Sequence, residues 1–147
     1  MLPPTVVQAE VLLDGSSEGE VRASCVPLSF WGGFDPVTGT VIDHRHPLHA
    51  AVLTGHILVL PHGKGSSTGS PILVDALLQG TAPAAIVLNR VDEIIALGGV
   101  VYEEFFNQTM PILVLDDAAF ELAANATYMQ ILTGGRVLIF NEGADHV

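Results

Sequence analysis

The residues best suited to chemistry lie in a glycine-rich stretch, residues 63–69, called the glycine segment below. Its three glycines allow positive φ angles and let a ligand approach the backbone closely. Ser66 and Ser67 stand between those glycines and before a predicted helix, whose unpaired N–H groups and partial positive charge favour anions. A serine alkoxide would be stabilised there, so a serine of this segment is a candidate base. Serines are also ordinary loop and cap residues, and composition alone favours that simpler interpretation.

The glycine segment does not match the common nucleotide-binding motifs. A Walker A loop carries a Lys-Ser/Thr pair after its second glycine, and this pair is missing here. The glycine spacing of the dinucleotide fingerprint is absent as well. The segment therefore gives only weak support to nucleotide binding.

A strand and a helix flank the glycine segment. Residues 56–60 form a short apolar run that stops at Pro61. On the other side, Ser70 suits an N-cap and Pro71 the first helical position, and the helical apolar spacing ends at Gly80. The pattern predicts a strand, a loop carrying the serines, and a helix.

Strands and helices alternate along the remaining chain. Two strands are predicted near the start, at residues 6–13 and 21–26, and three later ones at 84–88, 112–115 and 136–140. Predicted helices cover residues 91–106, with a break at Gly98-Gly99, and a short stretch from a cap at Asp116 or Asp117 through Ala124. This order predicts one α/β domain over residues 1–147, with a largely parallel sheet after a β-rich opening.

A long stretch without periodicity, residues 27–51, separates the opening strands from the rest. A loop of this length inside a domain is more often functional than accidental, so we expect it near the glycine segment. His44, His46 and His49 lie close enough in it to suggest metal ligands. They lack cysteine or acidic ligands in a recognised spacing, and Pro47 interrupts any regular element, so packing or interface roles are favoured.

Four further residues have simpler interpretations. Asp35 and Asp43 could be paired acid and base groups, but Asp35 precedes a proline and is typical of a turn. Trp31, beside two glycines, is either a core anchor or part of a partner interface, and its setting favours the interface. Cys25 lies in a predicted strand, where we expect a small buried thiol.

Composition limits the possible partners. Hydrophobic residues make up 49% of the chain and charged residues only 14%, so we expect a partner protein to cover apolar surface. The apolar runs are far shorter than the ~20 residues that span a membrane, and no secretory signal is visible, which predicts a soluble cytoplasmic protein. Sixteen acidic and five basic residues make nucleic acid an unsuitable partner. One cysteine excludes an iron–sulfur cluster held wholly by this chain's thiolates, since such clusters usually need about four.

The glycine segment and its surroundings resemble a known family. Gly63-Lys64-Gly65-Ser66-Ser67 is similar to the Gly-x-Gly-Ser-Ser stretch in the swivelling domain of aconitase-superfamily enzymes. An ordered string of segments is similar to the small subunit or swivel domain of the aconitase X branch: residues 30–36, 39–43, 46–48, 58–61, 65–70 and 80–84. This resemblance covers nearly the whole chain. It implies an α/β fold of the three-layer β/β/α type, the swivelling domain of the aconitase superfamily.

The resemblance also implies roles for residues of the glycine segment. Ser66, deprotonated, would remove the substrate proton, and Lys64, Gly65, Ser67 and Thr68 would bind substrate. Aconitase itself has an arginine two positions after its serine, where it holds a substrate carboxylate, but Thr68 stands there in this chain. Loop N–H groups, the Thr68 hydroxyl, Lys64 or an arginine of the large subunit remain alternatives for that task.

Two activities are associated with aconitase X: dehydration of cis-3-hydroxy-L-proline in bacteria and of a phosphorylated mevalonate in archaea. The resemblance is closer to the bacterial type. It implies a two-chain hydro-lyase, in which the large subunit carries an iron or iron–sulfur centre and this chain alone binds no cofactor. The alternatives are a non-catalytic module that binds a partner, and a phosphohistidine carrier using His62 or His56.

Overall fold

The computed structural model of the chain describes residues 3–63 and 69–141. Within them, the helices are α1 (Phe30–Gly33), α2 (Gly69–Gln79), α3 (Glu93–Phe106) and α4 (Asp117–Ala124). The strands are β1 (Thr5–Gln8), β2 (Glu10–Leu13), β3 (Ser17–Ala23), β4 (Phe34–Asp35), β5 (Thr40–Val41), β6 (Ile57–Leu60), β7 (Ala85–Leu88), β8 (Ile112–Val114), β9 (Tyr128–Leu132) and β10 (Arg136–Phe140). Eight of these strands form one sheet in the order β1-β10-β9-β3-β6-β7-β8-β2, while β4 and β5 pair separately.

The sheet is mixed, and the prediction of a largely parallel sheet is wrong. Strands β3, β6, β7 and β8 run parallel, as expected for strands connected by helices. The pairs β1–β10, β10–β9, β9–β3 and β2–β8 are antiparallel. The sequence patterns missed β9, which forms a hairpin with β10 through Gly134 and Gly135, both at positive φ.

The two edges of the sheet are joined through a single residue. The predicted strand at residues 6–13 is split at Ala9, so that β1 pairs with β10 at one edge and β2 with β8 at the other. Ala9 lies between β1 and β2, and its amide donates a hydrogen bond to the Gly135 carbonyl at 2.8 Å. The sheet is therefore nearly closed, which leaves few free strand edges.

Two apolar clusters separate three layers. In β6, Leu58 and Leu60 face α2, α3 and the long stretch at residues 27–51, whereas Ile57 and Val59 face α4 and the strands β9 and β10. Both faces of β6 are fully buried, as expected for a parallel strand between two layers. Helices α2 and α3, the parallel half of the sheet and its antiparallel half thus form the expected β/β/α arrangement, with α4 on the antiparallel side.

Helix α3 is continuous, and the predicted break at Gly98-Gly99 is wrong. A Cβ atom at Gly98 would lie 3.1 Å from Leu73 Cδ2 of α2, and one at Gly99 would overlap Leu13 and approach Ile112 Cδ1 to 2.8 Å. Both glycines are buried. They serve close packing of α3 against α2 and the sheet, not an interruption of the helix.

The antiparallel half carries one charged contact between strands. Tyr128 of β9 donates its hydroxyl to Glu18 Oε2 of β3 at 2.6 Å. This hydrogen bond, with desolvation and the nearby negative charge as smaller causes, raises the pKa of Tyr128 above its usual value.

In the described part of the chain, no helix has the length and apolar character needed to cross a membrane.

Candidate active site

The glycine segment follows β6 and ends where α2 begins, which confirms the predicted strand before it and the predicted helix after it. The Pro61 carbonyl, just after β6, accepts hydrogen bonds from the amides of Asn89 and Arg90 at 3.0 and 3.1 Å. Residues 61–63 are thus held beside the carboxyl end of β7. In parallel α/β sheets, ligands bind at this edge.

The predicted site residues fall within the glycine segment itself. Ser66, expected to be the base, and Lys64, Gly65, Ser67 and Thr68, expected to bind substrate, lie outside the described residues. Their roles stay predictions, and the described geometry concerns the two flanks, Gly63 and residues 69–70.

Asp92 holds the first flank. Its Oδ2 accepts the Gly63 amide at 2.7 Å, while its Oδ1 accepts the amides of Ile94 and Ile95, both at 3.0 Å. Asp92 is therefore the N-cap of α3 and a tether for Gly63. Sequence reasoning missed this residue because it started the helix at residue 91, although an aspartate directly before a helical apolar pattern is a cap signal.

Ser70 holds the second flank, although not in the way predicted. Helix α2 already includes Gly69, so Ser70 lies in its first turn and is not its N-cap. The buried Ser70 hydroxyl donates to the Ile94 carbonyl at 2.5 Å instead. Both flanks of the glycine segment are thus attached to the first turn of α3.

The long stretch at residues 27–51 lies against both flanks, as expected. Leu28 forms a parallel β-bridge with Gly63, and the Phe30 Cβ lies 3.9 Å from the position of a Cβ at Gly69. Trp31 follows with 60% of its surface exposed, which excludes the core-anchor interpretation. Gly32, at φ 80°, follows Trp31 in this turn.

The three histidines of this stretch do not form a metal site. His46 is 4% exposed, its Nε2 lies 3.0 Å from the Val26 carbonyl, and its Nδ1 accepts the Leu48 amide at 3.0 Å. Since both ring nitrogens are occupied, His46 packs the loop, as the favoured interpretation had it. The rings of His44 and His49 stack 4.4 Å apart at the surface. Among residues 3–63 and 69–141, no three His, Cys, Asp or Glu side chains are grouped to hold a metal ion.

Two further predictions concern single residues: the one for Asp35 is confirmed, and the one for Cys25 is wrong. Asp35 opens a turn, accepting the Val37 amide at 2.9 Å and the Thr38 hydroxyl at 3.1 Å. Cys25 is exposed, not buried, because β3 ends at Ala23 and the chain bends there into the long stretch.

Comparisons with known proteins point to one family. The family model of the aconitase X swivel domain matches residues 6–141. The cis-3-hydroxy-L-proline dehydratase of Pseudomonas aeruginosa is 46% identical over 119 residues, which are 81% of this chain and 20% of that protein. The phosphomevalonate dehydratase small subunit of Methanothermobacter thermautotrophicus is 45% identical over 94 residues, 64% of this chain and 72% of that subunit.

A solved structure shares the fold. The crystal structure of Thermococcus kodakaraensis aconitase X in its holo form superposes with a TM-score of 0.79 at 31% identity, covering 93% of this chain and 99% of that one. The chain spans about one fifth of the length of the two hydroxyproline dehydratases that it matches.

Proposed function

Since the chain belongs to the aconitase X swivel-domain family, we propose that it is the small subunit of a two-chain hydro-lyase that dehydrates cis-3-hydroxy-L-proline in the cytoplasm. The observation that carries this proposal is the position of the glycine segment. Its described flanks follow β6 and begin α2, and both are attached by hydrogen bonds to the amino end of α3. Ser66 is the base in this proposal.

The chain's own part in the reaction is proton removal. The Ser66 alkoxide takes a proton from the carbon next to the one that bears the hydroxyl group. The electron pair left behind forms a carbon–carbon double bond as the hydroxyl group leaves, and one water is lost in total. Serine is a weak base unless its alkoxide is stabilised, and the N–H groups at the start of the 11-residue α2 are suited to that.

The described residues do not fit an iron–sulfur cluster. Cys25 is the single thiol of the chain, and no group of three candidate ligands exists among the described side chains. We therefore assign the iron or iron–sulfur centre that the family implies to the large subunit. A site divided between two chains also accords with the low charged content of this one.

The large subunit would contact the surface around Trp31. This exposed side chain follows Phe30, which packs against Gly69. Two further exposed side chains are Val26, two residues before Leu28, and Val91, directly before Asp92. Large exposed aromatic residues in such places are typical anchors of interfaces. A partner seated here would cover the glycine segment and exclude water from it.

Replacing Trp31 with serine is expected to weaken assembly with the large subunit at least about tenfold, since truncating an aromatic anchor typically costs 1–2 kcal/mol or more. Phe105→Ser is the matched control. Phe105 is 75% exposed but lies roughly 18 Å along α3 from Glu93, at about 1.5 Å per residue. Titration of the labelled chain with large subunit gives both affinities. Equal losses in the two variants, or none in Trp31→Ser, would contradict this placement of the interface.

A second candidate function is the small subunit of a phosphomevalonate dehydratase. The 45% identity to such a subunit, over 72% of its length, supports it. The two substrates differ in charge and shape, so an assay separates the candidates. The chain co-expressed with its large subunit would be offered cis-3-hydroxy-L-proline and phosphomevalonate in parallel without oxygen. Turnover of cis-3-hydroxy-L-proline alone is the expected result. Turnover of phosphomevalonate alone would contradict the first proposed function and support the second.

A further inference from the structure

Asp92 makes more contacts than a helix cap needs. Its Oδ1 satisfies two free amides of the first turn of α3, and its Oδ2 reaches the Gly63 amide, 29 residues away in sequence. Asp116, the N-cap of α4, shows the ordinary case, with Oδ1 accepting the Ala119 amide at 2.9 Å. The second oxygen of Asp92 therefore serves the start of the glycine segment.

Gly63 is shaped for this contact. A Cβ at this position would lie 2.7 Å from Asp92 Oδ2 and 2.9 Å from Ile95 Cδ1. Any side chain here would push the backbone away from the carboxylate. The hydrogen bond from Gly63 to Asp92 Oδ2 thus requires a residue without a side chain at position 63.

The far flank is attached to the same helical turn. Ser70 donates to the Ile94 carbonyl at 2.5 Å, two residues beyond Asp92. Both flanks are therefore attached to the same short stretch, Asp92 and the first turn of α3. Ser66 lies between those flanks in sequence, three residues after Gly63.

We propose that Asp92 is a positioning residue, which fixes the start of the glycine segment so that Ser66 meets the substrate. This inference rests on the proposed function of Ser66. Asp92 touches no reacting atom in it, and its effect on the reaction passes through the Gly63 backbone.

The test separates positioning from capping by replacing Asp92 with serine. Serine caps helices about as well as aspartate but has a single acceptor oxygen on a shorter side chain. In the assembled enzyme, Asp92→Ser is expected to lower kcat about ten- to a hundredfold, as misplacement of a reacting group by about 1 Å does. KM should change less than about twofold, and the melting temperature should stay close to that of the parent.

Asp116→Ser is the matched control, because it makes the same change at the cap of α4. Its kcat should equal that of the parent. Asp92→Asn keeps one carbonyl oxygen but turns an NH₂ group toward the remaining donors, so its kcat should fall as well. If both Asp92 variants retain the parent kcat, the positioning role is wrong.

Amide hydrogen exchange at Gly63 gives a readout that does not depend on activity. Losing the carboxylate acceptor should speed exchange of the Gly63 amide in Asp92→Ser at least about tenfold, and leave it unchanged in Asp116→Ser. If Ser66→Ala keeps full activity while Gly63 exchange responds, the proposed function fails and the tether stands. If Ser66→Ala is inactive while Asp92→Ser changes neither kcat nor exchange, the positioning role alone fails.

Discussion

Replacing Ser66 with alanine is expected to reduce turnover by the assembled enzyme about a hundred- to ten-thousandfold while leaving assembly intact. A positioned general base contributes a factor of this order, and alanine cannot accept the proton. The measurement is kcat of the complex at saturating substrate, with assembly followed by sedimentation. The proposed large subunit and its proposed iron centre are unchanged in the variant, so the loss would report the missing hydroxyl.

Ser17→Ala is the control for this substitution. Ser17 opens β3 at the amino end of the parallel strands and donates to the Ala84 carbonyl at 3.2 Å, away from the glycine segment. Its variant should turn over as the parent does. Full activity in Ser66→Ala would instead favour the non-catalytic module, in which the serines only terminate a loop and begin a helix.

Gly99→Val is expected to lower the free energy of unfolding by about 2–3 kcal/mol, because an added side chain overfills a packed core. At this position a Cβ already meets Leu13 and Ile112. Chemical denaturation of the isolated chain, fitted to a two-state transition, measures the loss.

Leu97→Val is the matched control in the same helix. Leu97 is exposed, so valine there costs only the difference in helix propensity, less than about 0.7 kcal/mol. Equal stability of the two variants would mean that α3 does not pack closely at Gly99. It would also favour the sequence-based prediction of a helix break at Gly98-Gly99.

Local patterns predicted several elements of the fold well. The strands β7 and β10 and the helix α4 with its Asp116 cap agree with the predicted bounds to within a residue. Each was carried by neighbouring residues alone: an apolar run, a turn before it, or a capping side chain. The ordered motifs around Gly63 likewise pointed to the family that residues 6–141 match.

The errors share a different origin. The adjacent Gly98 and Gly99 predict a helix break because glycine has a low helix propensity. In the fold, however, the space without their side chains is filled by residues distant in sequence: Leu13, Leu73 and Ile112. Cys25 was expected in a strand because its neighbours are apolar, yet pairing of β3 with β6 ends at Ala23. Contacts across the fold overrode local preference in both cases.

The sequence by itself determined the order of strand, glycine segment and helix, the serines available as a base, and the lack of thiols for a cluster. Those properties depend on residue types and short spacings. Only the tertiary structure decided that the sheet nearly closes through Ala9, and that Asp92 and Ser70 attach both flanks of the segment to α3. These contacts join residues 24 (Ser70 and Ile94) to 126 (Ala9 and Gly135) positions apart, and no local pattern specifies the partner of a hydrogen bond at that separation.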